Sequence, residues 1–451
     1  MNIKLATIIL LFFSIFFSFS CKTETDSRLA GKQISEQTVQ TELRWLGQWY
    51  GEGRKEDLVR EMSREFAFLN QGINVELTFP YEMAGLDSFA DPFSSVADSI
   101  LSWVEADSWP FDILVCDRWF YQEIATFLND PYWGNKHLVD FQHEDWFIEA
   151  HKEYVLDSEE YIGGFGGIAP GAFIEGAWDL LFVSSAVEDI LNIEVKDYDM
   201  TVDDFLLYAR RVHEHNQTNE NKITFCASNY QTIERVLNHM VMSEMAGLED
   251  ASYAQQIQAL ARVYQKLEEL AAYKPTEQYH EYATDRELKH DQTLFHIHAT
   301  WVTIFWQRQN PEGELLMRPC EYPSMNDKAA YAYSGTYNAV FAIPQKAKNK
   351  DEAIRLMQYI SSEDIAEKWE NYSKCPTGLN SRISFNEFGT DAFSNFSTHI
   401  SEKYDNRLSD ISLPQELFGG RQTHINFHVM DIAEGRMTAA NAINAIRSQI
   451  R

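Results

Sequence analysis

Cysteine is scarce: five in 451 residues, and no two stand in a CxxC spacing. That argues against a zinc ribbon or a dithiol redox motif. Cys116 lies in an apolar run and reads as core. A Cys320–Cys375 bridge stays open, because spacing alone cannot establish one even in an oxidising compartment. Positive charge is also short, with 38 Lys and Arg against 68 Asp and Glu, a formal net charge of −30. Nucleic-acid binding needs clustered positive charge, so it is not expected. GxGxxG, a Walker lysine, HExxH and GxSxG are all missing. His296 and His298 share a face if their stretch is a strand, but no third ligand stands near them, and a structural role is the simpler reading. His213 and His215 flank a helix end, where the dipole alone suits them. No cofactor and no metal are expected. Repeats and low-complexity tracts are not apparent.

What is present is length and apolar mass. At 451 residues and 45% hydrophobic content the chain exceeds one ordinary core, so two lobes are expected. Residues 1–20 read as an export signal: Lys4, an apolar stretch from Leu5 to Phe19, then small Ser18 and Ser20 before Cys21. Cys21 stands where a bacterial lipoprotein is cut and lipidated, although Ser18 occupies the place where a lipobox usually has Leu. Residues 21–40 then form a polar tether to a lipid anchor.

From residue 41 the pattern alternates. Leu43–Leu46 reads as a strand and 55–70 as a helix, with Leu58, Met62, Phe66 and Leu69 on one face. Ile73, Val75, Leu77 and Phe79 alternate as a strand does. A helix follows near 94–106, then the apolar run Phe111–Cys116. Strand, helix, strand, helix, strand predicts a parallel, doubly wound α/β lobe. Ligands bind at the carboxyl ends of such strands. Those ends carry Trp49 and Tyr50, Glu82, and Asp117-Arg118-Trp119. The glycine-rich stretch 161–178 reads as a crossover between lobes, and residues 180–300 as mainly helical. Thr201 with Asp204 spells a capping box. Ile257, Leu260, Tyr264 and Leu267 mark a second helix face, and residues 439–450 a closing one.

Residues 333–372 organise the rest. A small-residue approach, Ser334-Gly335-Thr336, enters the apolar strand Ala339–Ile343, which Pro344 ends. A helix starts near Asn349, whose side chain is expected to cap it, and buries Ala353, Leu356, Met357 and Ile360. A second helix follows Ser361-Ser362, with Ile365 and Trp369 inward, and Cys375-Pro376-Thr377-Gly378 leads the chain away.

This order of motifs resembles the extracellular solute-binding proteins of ABC importers, in particular the carbohydrate-binding, maltose-binding-protein-like family 1. The resemblance runs through most of residues 41–451. It implies a two-lobed periplasmic-binding-protein-like fold of type II, each lobe a mostly parallel sheet flanked by helices. The lobes would be 41–165 with 334–372, and 166–333 with 373–451, crossing near 162–178, 334–343 and 373–380. It implies carbohydrate contacts from the Asp117-Arg118 pair and from Trp301, which follows the apolar stretch Thr293–Ala299. It also places Trp178 on the first crossover, and Gly335 and Tyr337 on the returning one. Trp49, Tyr50, Glu82 and Trp119 complete the candidate set, since indole faces stack on sugar rings and carboxylates bind hydroxyls. The implied protein is a monomeric lipoprotein of the cell envelope or periplasm, anchored to the membrane by lipid. It would capture a sugar, oligosaccharide or other small polar solute, deliver it to ABC permease transmembrane subunits, and catalyse nothing. A glycan-acting hydrolase, a solute sensor and a charged organic ligand remain open alternatives.

Overall fold

The computed structural model describes residues 41–49, 53–80, 82, 93–156, 159–227, 230–248, 251–273, 288–326, 333–381, 395–396, 399, 408–409 and 428–449. Cys21, the export signal, the tether and Tyr50 lie outside them. Residues 40–451 form one compact unit.

The first sheet begins with β1 (Thr41–Leu46) and β2 (Ile73–Thr78), parallel from Thr41↔Ile73 to Leu46↔Thr78. Between them runs α1 (Arg54–Leu69), which buries Leu58, Met62 and Phe66, while Leu69 turns out to solvent at its end. Gly72, at φ 99°, supplies the left-handed step into β2. After α2 (Phe93–Ala106) the chain passes beside β1, with Ile113 bridging Trp45 in parallel, and continues as β3 (Leu114–Val115). α3 (Arg118–Leu128) follows at once.

The chain then leaves on one long strand, β4 (Glu175–Ser184). Its first half pairs with β8 (Tyr333–Asn338), from Glu175↔Asn338 to Trp178↔Gly335. Its second half lies between β6 (Thr293–Ala299) and β7 (Met317–Cys320). β5 (Thr224–Ala227) adds to β6, and β10 (Leu408–Ser409) to β8. Around this second sheet stand α4 (Val202–Thr218), α5 (Tyr230–Met245), α6 (Tyr253–Ala272) and α7 (Val302–Gln309). The Thr201–Asp204 capping box opens α4 as the residue types predict.

The chain re-enters the first sheet as β9 (Phe341–Ala342), antiparallel to β3. α8 (Lys350–Ile360) and α9 (Glu363–Ser373) then pack on α1, with Ala353, Leu356, Met357, Ile360, Ile365 and Trp369 buried as expected. Asn349 is the residue before α8, but its amide does not cap the helix. It donates to Asp112 Oδ2 at 3.0 Å and to the Glu42 carbonyl at 2.8 Å, tying the helix start to β1. Of the expected strand 339–343 only Phe341–Ala342 is paired, as β9; the crossover strand β8 ends before it, at Asn338. The closing helices are α10 (Val429–Ala433) and α11 (Ala439–Gln449).

The α/β, two-lobed expectation holds, but the second sheet is not mostly parallel. β4 runs antiparallel to β6, β7 and β8. The chain goes out on β4 and comes back on β8, and neighbouring strands travelled in opposite senses must pair antiparallel. Cys116, Cys226, Cys320 and Cys375 are free, buried thiols, so the Cys320–Cys375 bridge is not made. The Cys375 sulfur instead meets the Thr300 hydroxyl at 3.6 Å and the Ser373 carbonyl at 3.4 Å. Among the described residues no helix is long and apolar enough to cross a membrane.

Gly171 sits where the outgoing chain presses on β9. A Cβ there would lie 2.0 Å from the Phe341 carbonyl oxygen, a backbone atom that cannot step aside. Gly171→Ala is therefore expected to lower stability by about 1–3 kcal/mol, read as a drop in the denaturant midpoint. An unchanged midpoint would refute this packing of crossover against sheet.

Candidate functional site

Strand parity on the β4–β8 ladder decides which side chains face the cleft. Glu175 pairs with Asn338 and Ala177 with Thr336, so these four share one face. That face borders an open cleft of about 290 Å³, with Gln48 and Trp49 from the loop after β1, Lys55 from α1, and Trp301 from the start of α7 completing its wall. The opposite face carries Gly176, Trp178, Gly335 and Tyr337. Trp178 and Tyr337 are almost wholly buried there, and a Cβ on Gly176 would sit 2.8 Å from the Tyr337 ring.

Charge in the cleft is tightly held. Lys55 is 1% exposed although it lies in the first turn of α1. Its ammonium meets the Glu175 carboxylate and lies 5.4 Å from the Trp49 ring centroid and 5.7 Å from that of Trp369. The Trp49 indole N–H donates to the same Glu175 oxygen at 3.2 Å. Trp49 occupies a left-handed backbone position at φ 70°, unusual for a bulky side chain. Its ring is pinned edge-on by Phe341 and tilted on Trp369, with centroids 4.7 Å apart in the latter pair. Trp301 stands half-buried on the other side, its ring edge-to-face with His298 and with Phe305.

The remaining candidates lie behind or beside this cleft. Asp117 caps α3, its Oδ1 accepting from the Phe120 N–H at 2.9 Å. Burial, and after it the charge on Glu175, push its carboxyl up to about 6 against the pull of the Phe120 N–H. Arg118 donates its backbone N–H to Asn338 Oδ1 at 3.1 Å, locking β8 to the start of α3, while its side chain lies over Gly164. Trp119 is half exposed and stacks edge-on against Phe120. Glu82 accepts from the Phe79 N–H at 2.9 Å, a turn contact. Tyr50 lies outside the described residues. The sequence reading missed Gln48, Lys55, Glu175, Thr336 and Asn338. The signal available was the two-residue period of the crossover strands, which sets Glu175 and Asn338 on the face opposite Trp178 and Tyr337. His296 is packed edge-on against Trp306, and burial pulls its imidazole down to about 3, as suits a core histidine.

A larger concavity, about 560 Å³, lies near Ser185, Trp306 and Leu315. Its Trp306 is fully buried and its Arg318 is engaged by Glu188 and Asp197, so it presents little free aromatic face. The 290 Å³ cleft, with half-buried Trp301 and several polar groups on its wall, is the better candidate for a small ligand.

No protein-family model and no curated protein matches the sequence. Solved structures do. The fold is similar to that of the cyclic alpha-maltosyl-1,6-maltose binding protein from Arthrobacter globiformis, at 11% identity and TM-score 0.56, covering 91% of this chain and 98% of that one. It is similar to the apo-form of RafE from Streptococcus pneumoniae, at 12% identity and TM-score 0.55, covering 91% and 97%. It is also similar to the GacH receptor of Streptomyces glaucescens, at 10% identity and TM-score 0.54, covering 92% and 98%. The fold is thus the two-lobed, periplasmic-binding-protein-like one that these binding proteins share.

Asp117 gives the site a pH signature. An acid whose folded pKa stands above its unfolded value weakens the fold as pH rises between the two. For Asp117 that window runs from about 4 to about 6. Asp117→Asn keeps a good helix cap but cannot ionise. Relative to wild type, its stability is expected to improve by about 1–2 kcal/mol between pH 4 and pH 7, followed by urea unfolding. A difference that stays constant with pH would contradict the burial of this carboxyl.

Proposed function

We propose that the chain is a substrate-binding lipoprotein of an ABC importer. On this reading it captures a sugar or oligosaccharide between two lobes and hands it to the permease. The observation that carries the reading is the cleft itself, where half-buried Trp301 stands with the polar β4–β8 face and buried Trp49 closes the wall. Sugar rings present apolar C–H faces to indoles and a rim of hydroxyls to groups such as Glu175, Asn338 and Gln48. The fold neighbours support it: one is a cyclic alpha-maltosyl-1,6-maltose binding protein, and GacH is described in complex with acarbose.

The lobes in this proposal are 41–165 with 334–372 and 166–333 with 373–451, closing about the crossovers. Cys21 carries the lipid that keeps the monomer at the envelope membrane. Arg118 and Asp117 serve by placing Asn338 and α3 rather than by reaching the ligand directly. Trp119, exposed beside the site, is left for longer ligands. Nothing is turned over: a micromolar affinity asks for only about 8 kcal/mol, within reach of a stack on Trp301 and several hydrogen bonds.

Calorimetry against a panel of mono- and oligosaccharides tests this, with product analysis alongside. Saturable binding with the ligand recovered intact is the expected result; a cleaved product would move the protein to the glycan hydrolases, and no binding to any sugar would remove the carbohydrate reading. For a sugar that binds, Trp301→Ala is expected to lose about 2 kcal/mol, roughly thirtyfold in Kd. An unchanged Kd would show that the ligand sits elsewhere.

A further inference from the structure

Away from the cleft, three separate pieces of chain bring metal-ligating side chains together. Asp199 comes from the turn before α4, Glu321 from the residue after β7, and His399 from the C-terminal region. One donor atom from each lies within 4.8 Å of the others. His399 Nε2 is 3.0 Å from Glu321 Oε1, and the other Glu321 oxygen accepts the Asp199 backbone N–H at 2.5 Å. We propose that Asp199, Glu321 and His399 bind a divalent transition-metal cation, with zinc the best chemical fit.

The donor set argues for this class. One imidazole nitrogen and two carboxylate oxygens suit zinc, which takes nitrogen and oxygen at about 2.0–2.2 Å and completes a tetrahedron with water. Calcium and magnesium prefer oxygen alone and more of it. A tetrahedral zinc needs donor separations of about 3.4 Å. The His399–Glu321 spacing is already close to that, and the exposed Asp199 side chain has room to swing in.

Burial and the grouping of donors suit a cation. Glu321 is 1% exposed, and a buried carboxylate needs strong compensation. Arg318, the nearby guanidinium, is bonded to Glu188 and Asp197. Asp199 and Glu321 bring two carboxylates to the His399 imidazole, and a divalent cation would offset the negative charge gathered there. The imidazole is also held in place from outside the cluster. The Tyr198 ring lies 4.5 Å from that of His399 and stacks at 18° on buried Phe396, which restricts how the imidazole can turn. A metal here would pin the C-terminal region onto the second lobe. The proposal stands independently of what occupies the cleft.

The test is zinc titration of the chelator-treated full chain by calorimetry, with calcium and magnesium as comparisons and the thermal midpoint as a second readout. One zinc per chain at submicromolar Kd is expected, with a higher midpoint that EDTA reverses. His399→Ala and Glu321→Gln should each weaken binding a hundredfold or more. Asp199→Asn should weaken it about tenfold. This variant keeps the left-handed backbone at φ 51°, which Asn tolerates well, so the test still decides if Glu321→Gln does not fold. Two results would overturn the site: no stoichiometric zinc binding by the native chain, or binding that stays equally tight in His399→Ala and Asp199→Asn, which would assign it to other histidines.

Discussion

Everything at the cleft depends on one ion pair, Lys55 with Glu175. Lys55 stands in the first turn of α1, where the helix dipole disfavours a cation, and it is shut away from water. A bare ammonium there would be strongly destabilising. It is held by the Glu175 carboxylate and by the faces of Trp49 and Trp369, whose ring centroids lie 5.4 and 5.7 Å from the charge. Glu175 is the first residue of β4, the strand on which the chain leaves the first sheet. One contact therefore ties the first helix to the outgoing crossover, and it orients Trp49 through the indole N–H.

β4 then extends the constraint. Its first half belongs with the returning strand β8, and its second half to the ladder with β6 and β7. A strand committed to two ladders cannot slip, because a shift of one residue would send Trp178 into the cleft and Glu175 into the core. Trp301 is set by the same strand. The residue before it, Thr300, donates its backbone N–H to the Trp178 carbonyl at 2.8 Å, so the turn that opens α7 is anchored on β4.

Local order was legible in the sequence, and tertiary pairing much less so. The stripe of Ala353, Leu356, Met357 and Ile360, the Thr201–Asp204 box and the alternation from Ile73 to Phe79 are written in neighbouring residues, and the fold keeps them. Asn349 fits the cap consensus, yet Asp112, 237 positions away, takes its amide. The direction of the second sheet followed from where the chain crosses, which no local period records. For the site, Trp49 and Trp301 were found because large aromatics at strand ends are conspicuous. Lys55 and Glu175 were not, since a lysine and a glutamate in an acidic chain look like ordinary surface charge until burial brings them together.

The pairing of these charges also bears on what the cleft suits. Lys55 and Glu175 have already satisfied each other's charge, so the wall they form is polar with little net attraction for an ion. A charged solute would have to compete with an internal partner held in place by two indoles, at a cost comparable to breaking a partly buried salt bridge. A neutral polyol asks for no such exchange. It needs spare lone pairs, N–H groups and an apolar face, and Glu175, Asn338, Gln48 and Trp301 offer those without the pair coming apart. The electrostatics therefore favour an uncharged, hydroxyl-rich guest over the charged organic solutes that the sequence left open.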